Sequence, residues 1–278
     1  MRMSSTLRSV LSDQQRRQFV EDGYLVIEDG VDRELVDAAF EQIAAAIPEN
    51  VDDPDQLRGV NYRSPDVDAE EEFAAINDRL YEYCRALVGD KLKEPGSGPS
   101  LKLEYPKELR LSTHLDRRPH TGHLDGYGPG FKRSGQYTGF GIAANIYFDD
   151  VPDRGGGFTV WPGSHWVAAD YFSEYALNTP GQGGQVPAID DDGGWNRSRS
   201  IADQLRSKEL NAPAGTVTLW HNKLTHTAGV NQSNRIRMAG ITRMARTDHE
   251  EIFEDAADKP FKYWDGVADL DVADPRDG

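Results

Sequence analysis

The chain has 278 residues and a formal net charge of −16, from 47 acidic and 31 basic side chains. Apolar residues make up 37% of it, enough for a hydrophobic core, and no stretch reaches the ~18 apolar residues of a membrane span. The charge disfavours nucleic acid and anionic membranes as partners, and the one cysteine, Cys84, excludes an internal disulfide, a cysteine zinc site and an iron–sulfur cluster.

The composition also bears on the environment of the protein. The N-terminal residues lack the apolar core of a secretory signal, so we expect a cytoplasmic protein. The acidic side chains are 30 Asp and 17 Glu, whereas the basic ones are 22 Arg and only 9 Lys. An Asp-rich, Lys-poor surface suits high salt, where screening weakens the repulsion between like charges. A salt-rich (halophilic) environment is therefore a hypothesis.

The N-terminal residues predict a short helix followed by a strand. Ser12 with Gln15 three residues later has the pattern of a capping box, in which side chains and backbone N–H groups pair at the first helical turn. The helix is predicted to end near Gly23, since glycine commonly terminates helices. Residues 24–27 are then a candidate strand.

Two longer helices are predicted in the first 95 residues. Asp32 is the expected N-cap of one, 48–65 is a polar loop, and the other helix ends at Gly89. Cys84 lies on an apolar helix face, where a cysteine most simply serves as a small core residue. Both helices are indicated by apolar residues at three-to-four spacing, which are Leu35, Val36, Ala39, Phe40, Ile43 and Ile47 in the first and Phe73, Ile76, Leu80, Cys84 and Leu87 in the second.

From residue 101 the pattern changes to short strands separated by Gly, Pro and Asp, which is typical of a sandwich or barrel. The candidate strands are 101–105, 139–148, 158–161, 215–220 and 235–243. We expect one catalytic domain over 1–278, with a helical support at 1–95, a β core at 100–246, a lid-like insertion at 177–214 and an acidic tail at 247–278. In the tail, Phe261, Tyr263 and Trp264 are expected to pin part of the chain to the body.

Two of the seven histidines begin a His-x-Asp triplet. The triplets are His114-Leu115-Asp116 and His123-Leu124-Asp125. Such a triplet and a later histidine supply the two imidazoles and one carboxylate of a non-haem Fe(II) site with three open positions. A chain of this composition contains about one such triplet by chance, so the motif alone does not decide between them.

The segment 215–237 supplies the later histidine. We predict a strand that ends in a histidine, then a turn, and then a strand that brings in arginines. If the two strands pair, Arg237 lies beside His226 at the mouth of the barrel. A guanidinium there suits a cosubstrate with a distal carboxylate, because it binds carboxylate in a bidentate way. 2-Oxoglutarate fits, since its keto-acid end can chelate the metal.

Three segments occur in an order and spacing known from one enzyme family. They are Gly122-His-Leu-Asp-Gly-Tyr127, the stretch 142–166 with Ile146-Tyr-Phe-Asp-Asp150, Gly155-Gly-Gly157 and Trp161-Pro-Gly-Ser-His165, and the run His226…Asn231…Arg237. Residues 18–27 also look like that family's opening helix and strand. Together these segments resemble the phytanoyl-CoA dioxygenase-like Fe(II)/2-oxoglutarate oxygenases.

The resemblance implies a mainly β (α+β) fold, a double-stranded β-helix of the jelly-roll or cupin type with N-terminal helices packed on one sheet. It implies His123, Asp125 and His226 as metal ligands and Arg237, rather than Arg235, as the cosubstrate anchor. The implied enzyme uses Fe(II), O₂ and 2-oxoglutarate, with ascorbate as an activator in vitro. It hydroxylates an aliphatic C–H bond of a small molecule and releases succinate and CO₂.

The chain departs from the family where many relatives have a Ser or Thr that helps to hold the cosubstrate carboxylate. That position is Ala228, and Asn145 is our candidate for the missing polar contact. Asp125 retains the carboxylate that halogenating relatives lose, which disfavours a halogenase. Two alternatives stay open, namely a non-catalytic small-molecule-binding jelly roll and a different cupin-type metal enzyme. The second normally needs His-x-His, which the sequence lacks.

Several other residues have a structural interpretation beside a functional one. We expect His165 to be structural rather than a ligand, and Asn231 to cap its turn through backbone hydrogen bonds. The glycines at 155–157 are expected to form a turn between strands, because no phosphate-binding Lys-Ser/Thr follows them. Trp161 can line a pocket or pack in the core, whereas Trp220 is expected to be a core residue and Tyr127 to pack rather than to line the pocket.

Overall fold

The computed structural model describes residues 10–60, 65–67, 69–96, 98–107, 122–124, 141–174, 205–252, 255–256 and 258–272. The predictions for Asp125, for the triplet 114–116, for Tyr127 and for most of 177–214 lie outside these residues. The helices are α1 (Asp13–Asp22), α2 (Arg33–Ala45), α3 (Pro54–Leu57), α4 (Glu70–Val88), α5 (Ser164–Glu174) and α6 (His249–Ile252). The strands are β1 (Tyr24–Ile27), β2 (Ser100–Glu104), β3 (Ile142–Tyr147), β4 (Phe158–Val160), β5 (Lys208–Leu210), β6 (Val217–His221), β7 (His226–Ala228) and β8 (Arg237–Met244).

These strands form two antiparallel sheets. The larger sheet has the order β1-β6-β3-β8-β2, and the smaller one has the order β5-β4-β7. Neighbouring strands are therefore distant in sequence, as when β3 lies between β6 and β8. Two sheets joined by such crossing connections make a double-stranded β-helix, which confirms the expected fold.

Strand β3 shows how the larger sheet is buried on both sides. Ile142, Ala144 and Ile146 belong to the core under the helices, whereas Ala143 and Tyr147 belong to a second core between the two sheets. This alternation follows from the two-residue period of a strand. The side that faces the smaller sheet is termed the interior face. Its core also contains Tyr24, Val151, Phe158, Val160, Leu210, Trp220, Leu224 and Ala239.

The helices cover the opposite side of the larger sheet. Helix α1 begins with the predicted capping box, in which the Ser12 hydroxyl accepts from the Gln15 N–H and the Gln15 side chain accepts from the Ser12 N–H. It ends at Gly23, whose φ of 79° lies in the left-handed region. Helix α4 packs on β3 and β6, and its Cys84 is fully buried, as expected for a core residue. Burial raises the pKa of the Cys84 thiol.

The predicted local structure is wrong at three places. The loop at 48–65 contains the one-turn helix α3, because Asp53 caps it and Pro54 suits its first position. The segment 177–214 includes β5, an edge strand of the smaller sheet, so its last residues belong to the barrel. Helix α5 begins at Ser164, in a part of the chain for which no helix was predicted.

The strands of His226 and Arg237 do not pair with each other, so the condition under which Arg237 would lie beside His226 in one sheet is not met. His226 begins β7 instead of ending the preceding strand, which is β6 and stops at His221. Strand β7 pairs with β4 in the smaller sheet, whereas β8 pairs with β2 and β3 in the larger one. The two residues therefore approach the same interior from opposite sheets.

The C-terminal segment 258–272 packs against α1. Phe19 stacks on Trp264 with ring centroids 5.7 Å apart and meets Phe261 edge-on at 6.1 Å. The buried Arg16 guanidinium donates to the carbonyl of Gly266 and to Asp269. The expectation that Phe261 and Trp264 pin the tail is confirmed. None of the helices that the structure describes is both long and apolar enough to cross a membrane.

Candidate metal and cosubstrate site

Two of the predicted ligands, His123 and His226, lie side by side. Their backbones form an antiparallel bridge, in which His123 N–H donates to the His226 carbonyl at 2.9 Å and His226 N–H donates to the His123 carbonyl at 3.1 Å. The centroids of the imidazole rings are 4.6 Å apart. Residues 103 positions apart in the sequence are thus held together by backbone hydrogen bonds at the edge of the smaller sheet.

The orientation of the His226 ring suits a metal ligand. Its Nδ1 lies 2.9 Å from the Leu224 carbonyl oxygen, and because a carbonyl only accepts, the proton is on Nδ1. The other ring nitrogen, Nε2, then carries the lone pair that a metal requires. The rings of Phe158 and Trp220 pack 5.2 Å and 5.4 Å from the His226 ring, so the imidazole is buried among apolar groups.

Gly122 permits this close approach. A Cβ at this position would lie 2.6 Å from Cγ2 of Thr225 and 2.7 Å from the ring of Trp161. Any larger residue would push His123 away from β7. The glycine in the Gly-His-x-Asp motif therefore has a packing reason, and Trp161, which is 2% exposed, acts here as a core residue.

The third predicted ligand, Asp125, follows directly after the described residues 122–124. Within the parts of the chain that the structure describes, no group of three His, Cys, Asp or Glu side chains is arranged to hold a metal. The ligand role of Asp125 stays a prediction.

The two arginines at the start of the β8 segment occupy different environments. Arg235 makes a bidentate ion pair with Asp149 at 2.7 Å, and half of its side chain is exposed. Arg237 is buried and on the interior face, where Nε donates to the Gly156 carbonyl at 3.1 Å and Nη1 to the Lys102 carbonyl at 3.3 Å. Only Arg237 directs its charge toward the space between the sheets.

Asn145 lies in the middle of the interior face of β3, opposite Thr218 on β6 and Ile241 on β8. Its side chain is 1% exposed, and Nδ2 has no hydrogen-bond partner among the described residues. Three further polar side chains line the same face, namely Thr218 and Trp220 on β6 and Thr216 directly before it, and none of them was predicted to bind a ligand. Alternate residues of a strand lie on the same face, so these side chains can be identified from the sequence only when it is known which face of β6 is the interior one.

Tyr147 connects the two sheets. Its hydroxyl donates to the Leu210 carbonyl at 2.8 Å and accepts from the Phe158 N–H at 2.7 Å. Burial raises the pKa of this phenol to about 12, although the positive charge of Arg237 acts in the opposite direction. The phenol therefore stays protonated, and its hydrogen bonds fix the distance between the sheets beside Arg237.

The other conspicuous histidines are structural. His165 Nε2 donates to the Val20 carbonyl at 2.9 Å, and His221 Nε2 donates to the Pro260 carbonyl at 3.0 Å. Burial lowers the pKa of His165 to about 3 and holds that of His221 well below its ordinary value, so both rings are neutral. His221 also stacks on Trp264, outside the interior face. His226 is therefore the histidine of this segment that lies beside His123.

Asn231 and the glycine turn organise the end of the barrel near Arg237. The fully buried Asn231 amide donates to the carbonyls of Glu104 and Arg235, and its oxygen accepts from the Ser233 N–H. These are the expected backbone hydrogen bonds of a turn. Gly155 bridges to Asn231, so the glycines at 155–157 form a turn between strands, as expected.

Comparison with known proteins gives one family match. The family model described as Phytanoyl-CoA dioxygenase (PhyH) matches residues 19–239, from α1 to the start of β8. No curated protein sequence gives a significant match.

Solved structures share the fold at low sequence identity. HygX from Streptomyces hygroscopicus, with nickel and 2-oxoglutarate bound, is 17% identical with a TM-score of 0.53, over 85% of this chain and 88% of HygX. EctD from S. alaskensis, with 2-oxoglutarate and 5-hydroxyectoine, is 16% identical with a TM-score of 0.52, over 86% and 77%. SnoK, a non-heme alpha ketoglutarate dependent carbocyclase from nogalamycin biosynthesis, is 18% identical with a TM-score of 0.51, over 84% of both chains.

Proposed function

Because the chain belongs to the phytanoyl-CoA dioxygenase (PhyH) family of 2-oxoglutarate-dependent non-haem iron dioxygenases, we propose that it hydroxylates an aliphatic C–H bond of a small molecule. The observation that supports this most strongly is the backbone pairing of His123 with His226, whose rings are 4.6 Å apart. Two adjacent imidazoles, one of which has its Nδ1 held by a carbonyl, are arranged as metal ligands, and this arrangement is not required for the folding of a non-catalytic jelly roll.

We assign Fe(II) to His123, Asp125 and His226. Two imidazoles and one carboxylate are the donor set of non-haem Fe(II) oxygenases, which leaves positions for cosubstrate and O₂. The Nδ1 contact of His226 with Leu224 fixes the ring so that Nε2 is available as the ligand.

We assign the binding of 2-oxoglutarate to Arg237 and Asn145. The buried guanidinium suits the distal carboxylate, because ion pairing in a water-poor interior is stronger than at the surface. Asn145 Nδ2 lies on the same face and can donate to an oxygen of the diacid. The apolar rings of Phe158 and Trp220 surround His226 and restrict the access of water to the reacting atoms.

Iron and 2-oxoglutarate held by these residues would supply O₂ activation, in which one oxygen atom is used to convert the diacid to succinate and CO₂ and the other is inserted into a C–H bond of the substrate. Tyr147 holds the two sheets at a fixed distance, so that the ligands on the smaller sheet and the arginine on the larger one keep their relative positions. Cytoplasmic location and a high-salt environment stay predictions.

The metal assignment is tested by anaerobic titration of the metal-free protein with Fe(II), followed by 2-oxoglutarate. The wild type should bind one Fe(II) and then develop the visible charge-transfer absorption of a keto acid chelated to iron. His226→Ala and Asp125→Ala should abolish both signals. His249→Ala and Asp116→Ala are matched controls outside the assigned set and should behave like the wild type. Loss of binding in Asp116→Ala and not in Asp125→Ala would contradict the assignment.

Turnover is tested by succinate formation from 2-oxoglutarate, Fe(II) and ascorbate in air. A screen of metabolites for a mass increase of one oxygen atom, dependent on 2-oxoglutarate, would then identify the substrate. Succinate formation that persists in His226→Ala would contradict the proposed function.

A further inference from the structure

The interior face of β3 and β6 carries a row of buried polar atoms that lack partners among the residues described. They are Nδ2 of Asn145, Oγ1 of Thr216, Oγ1 of Thr218 and Nε1 of Trp220. Each of these side chains is at most 1% exposed. Unpartnered polar atoms are costly in a closed core, and most buried polar groups have a partner. Four of them on one face therefore mark a place where a polar ligand binds.

The strand register gives the direction of the row. Trp220 lies at the metal end, because its ring is 5.4 Å from that of His226. Thr218 follows two residues earlier on β6 and lies opposite Asn145 on β3. Thr216 comes next, beside Tyr147, whose N–H donates to the Thr216 carbonyl. The row thus runs from the histidines into the barrel, alongside the path from the metal to the buried arginine.

The opposite wall of the interior is apolar. Phe158 and Val160 of β4 point inward, and Ala228, which pairs with Phe158, has no hydrogen-bonding side chain. A diacid between the sheets therefore has few hydrogen-bond donors on the smaller sheet. The Asn145 Nδ2 and Trp220 Nε1 atoms only donate, so the matching ligand presents oxygen acceptors.

We propose that Thr218 and Trp220, on the larger sheet beside Asn145, donate hydrogen bonds to the oxygens of bound 2-oxoglutarate and replace the contact that Ala228 lacks. The proposed role of Thr218 and Trp220 rests on the proposed function and adds two side chains of the larger sheet to the binding site for 2-oxoglutarate. The substitution of Ala for a hydroxyl residue on β7 is then offset by donors on β6.

The test compares two threonines that are equally buried but lie on opposite faces. Thr218→Val removes the hydroxyl and keeps the shape. Thr159→Val is the control, because Thr159 alternates with the inward Phe158 and Val160 and its hydroxyl donates to the Gly157 carbonyl at 3.2 Å. For each Ni(II)-loaded variant, the Kd for 2-oxoglutarate is measured by titration calorimetry. The Tm of the metal-free protein is measured as an independent readout.

Thr218→Val should raise the Kd for 2-oxoglutarate at least about tenfold, the usual effect of losing a hydrogen bond to a charged group. It should also raise the Tm of the metal-free protein, because an unpartnered buried hydroxyl is removed. Thr159→Val should lower the Tm and leave the Kd unchanged. Thr218→Ser should restore the affinity, and Trp220→Phe should weaken binding in the same direction as Thr218→Val.

The possible failures are distinguishable. If the wild type binds no 2-oxoglutarate with Ni(II), the proposed function falls, and this inference falls with it. If the wild type binds and Arg237→Met weakens binding, but Thr218→Val and Trp220→Phe bind as the wild type does, only this inference is overturned.

Discussion

Tyr147→Phe tests the claim that a hydrogen-bonded phenol holds the two sheets together. The substitution keeps the ring and removes a hydroxyl that donates to the Leu210 carbonyl and accepts from the Phe158 N–H. Two backbone groups in a fully buried position then lose their hydrogen bonds to this hydroxyl. At about 1–3 kcal/mol for each buried unsatisfied group, the free energy of unfolding should fall by about 3 kcal/mol. For a protein of this size that corresponds to a fall in Tm of roughly 6–12 °C.

The matched control is Tyr83→Phe. Tyr83 is also buried, but its hydroxyl bonds to a single backbone group, donating to the Gly30 carbonyl at 2.9 Å. Urea unfolding of both variants should show a loss for Tyr147→Phe about twice that for Tyr83→Phe. The Kd for 2-oxoglutarate should rise for the former alone, since its sheets are less well fixed. Equal losses in the two variants would refute the argument that Tyr147 bridges the sheets.

Three further predictions concern pH, the cosubstrate contact and the C-terminal segment. Burial lowers the pKa of His165 to about 3 and also lowers that of His221, so below pH ~6.5 only the unfolded state binds a proton on these two rings. In urea titrations the free energy of unfolding should therefore be constant above that pH. Below it, the free energy of unfolding should fall by about 1.4 kcal/mol per histidine for each pH unit. A pH-independent stability would contradict their neutral burial. Ala228→Ser should lower the Kd for 2-oxoglutarate several-fold by calorimetry, and an unchanged Kd would show that this position does not contact the diacid. Arg16→Met should destabilise the fold by about 2 kcal/mol and expose 258–272 to limited proteolysis. Arg17→Met should have a much smaller effect, because the exposed Arg17 makes only a solvent-exposed hydrogen bond to the Asp271 carbonyl of that segment.

The local features of the fold were predictable because their causes are local. The capping box of Ser12 and Gln15 and the terminating Gly23 act within one helical turn, so the sequence contains all the partners. The preference for His226 over His221 came from spacing in a known motif. The structure supplies the physical reason, since His221 ends β6 on the side of Trp264 and His226 begins a strand beside His123.

The pairing of the strands was not predictable in the same way. Strands β5 and β7 have three residues each, too short to show a period, and their partners are set by contacts far along the chain. For this reason the sequence left the pairing of the His226 and Arg237 strands open, and the structure places them in opposite sheets. The polar atoms at Thr218 and Trp220 were missed because a strand's alternation shows two faces without showing which one lines the interior.

The most direct measurement is a crystal structure of the protein with Ni(II) and 2-oxoglutarate under anaerobic conditions. We predict a metal bound by Nε2 of His123, Nε2 of His226 and the carboxylate of Asp125, with the diacid extending between the sheets toward Arg237. A metal bound elsewhere, or an interior filled by side chains with the diacid absent, would contradict it.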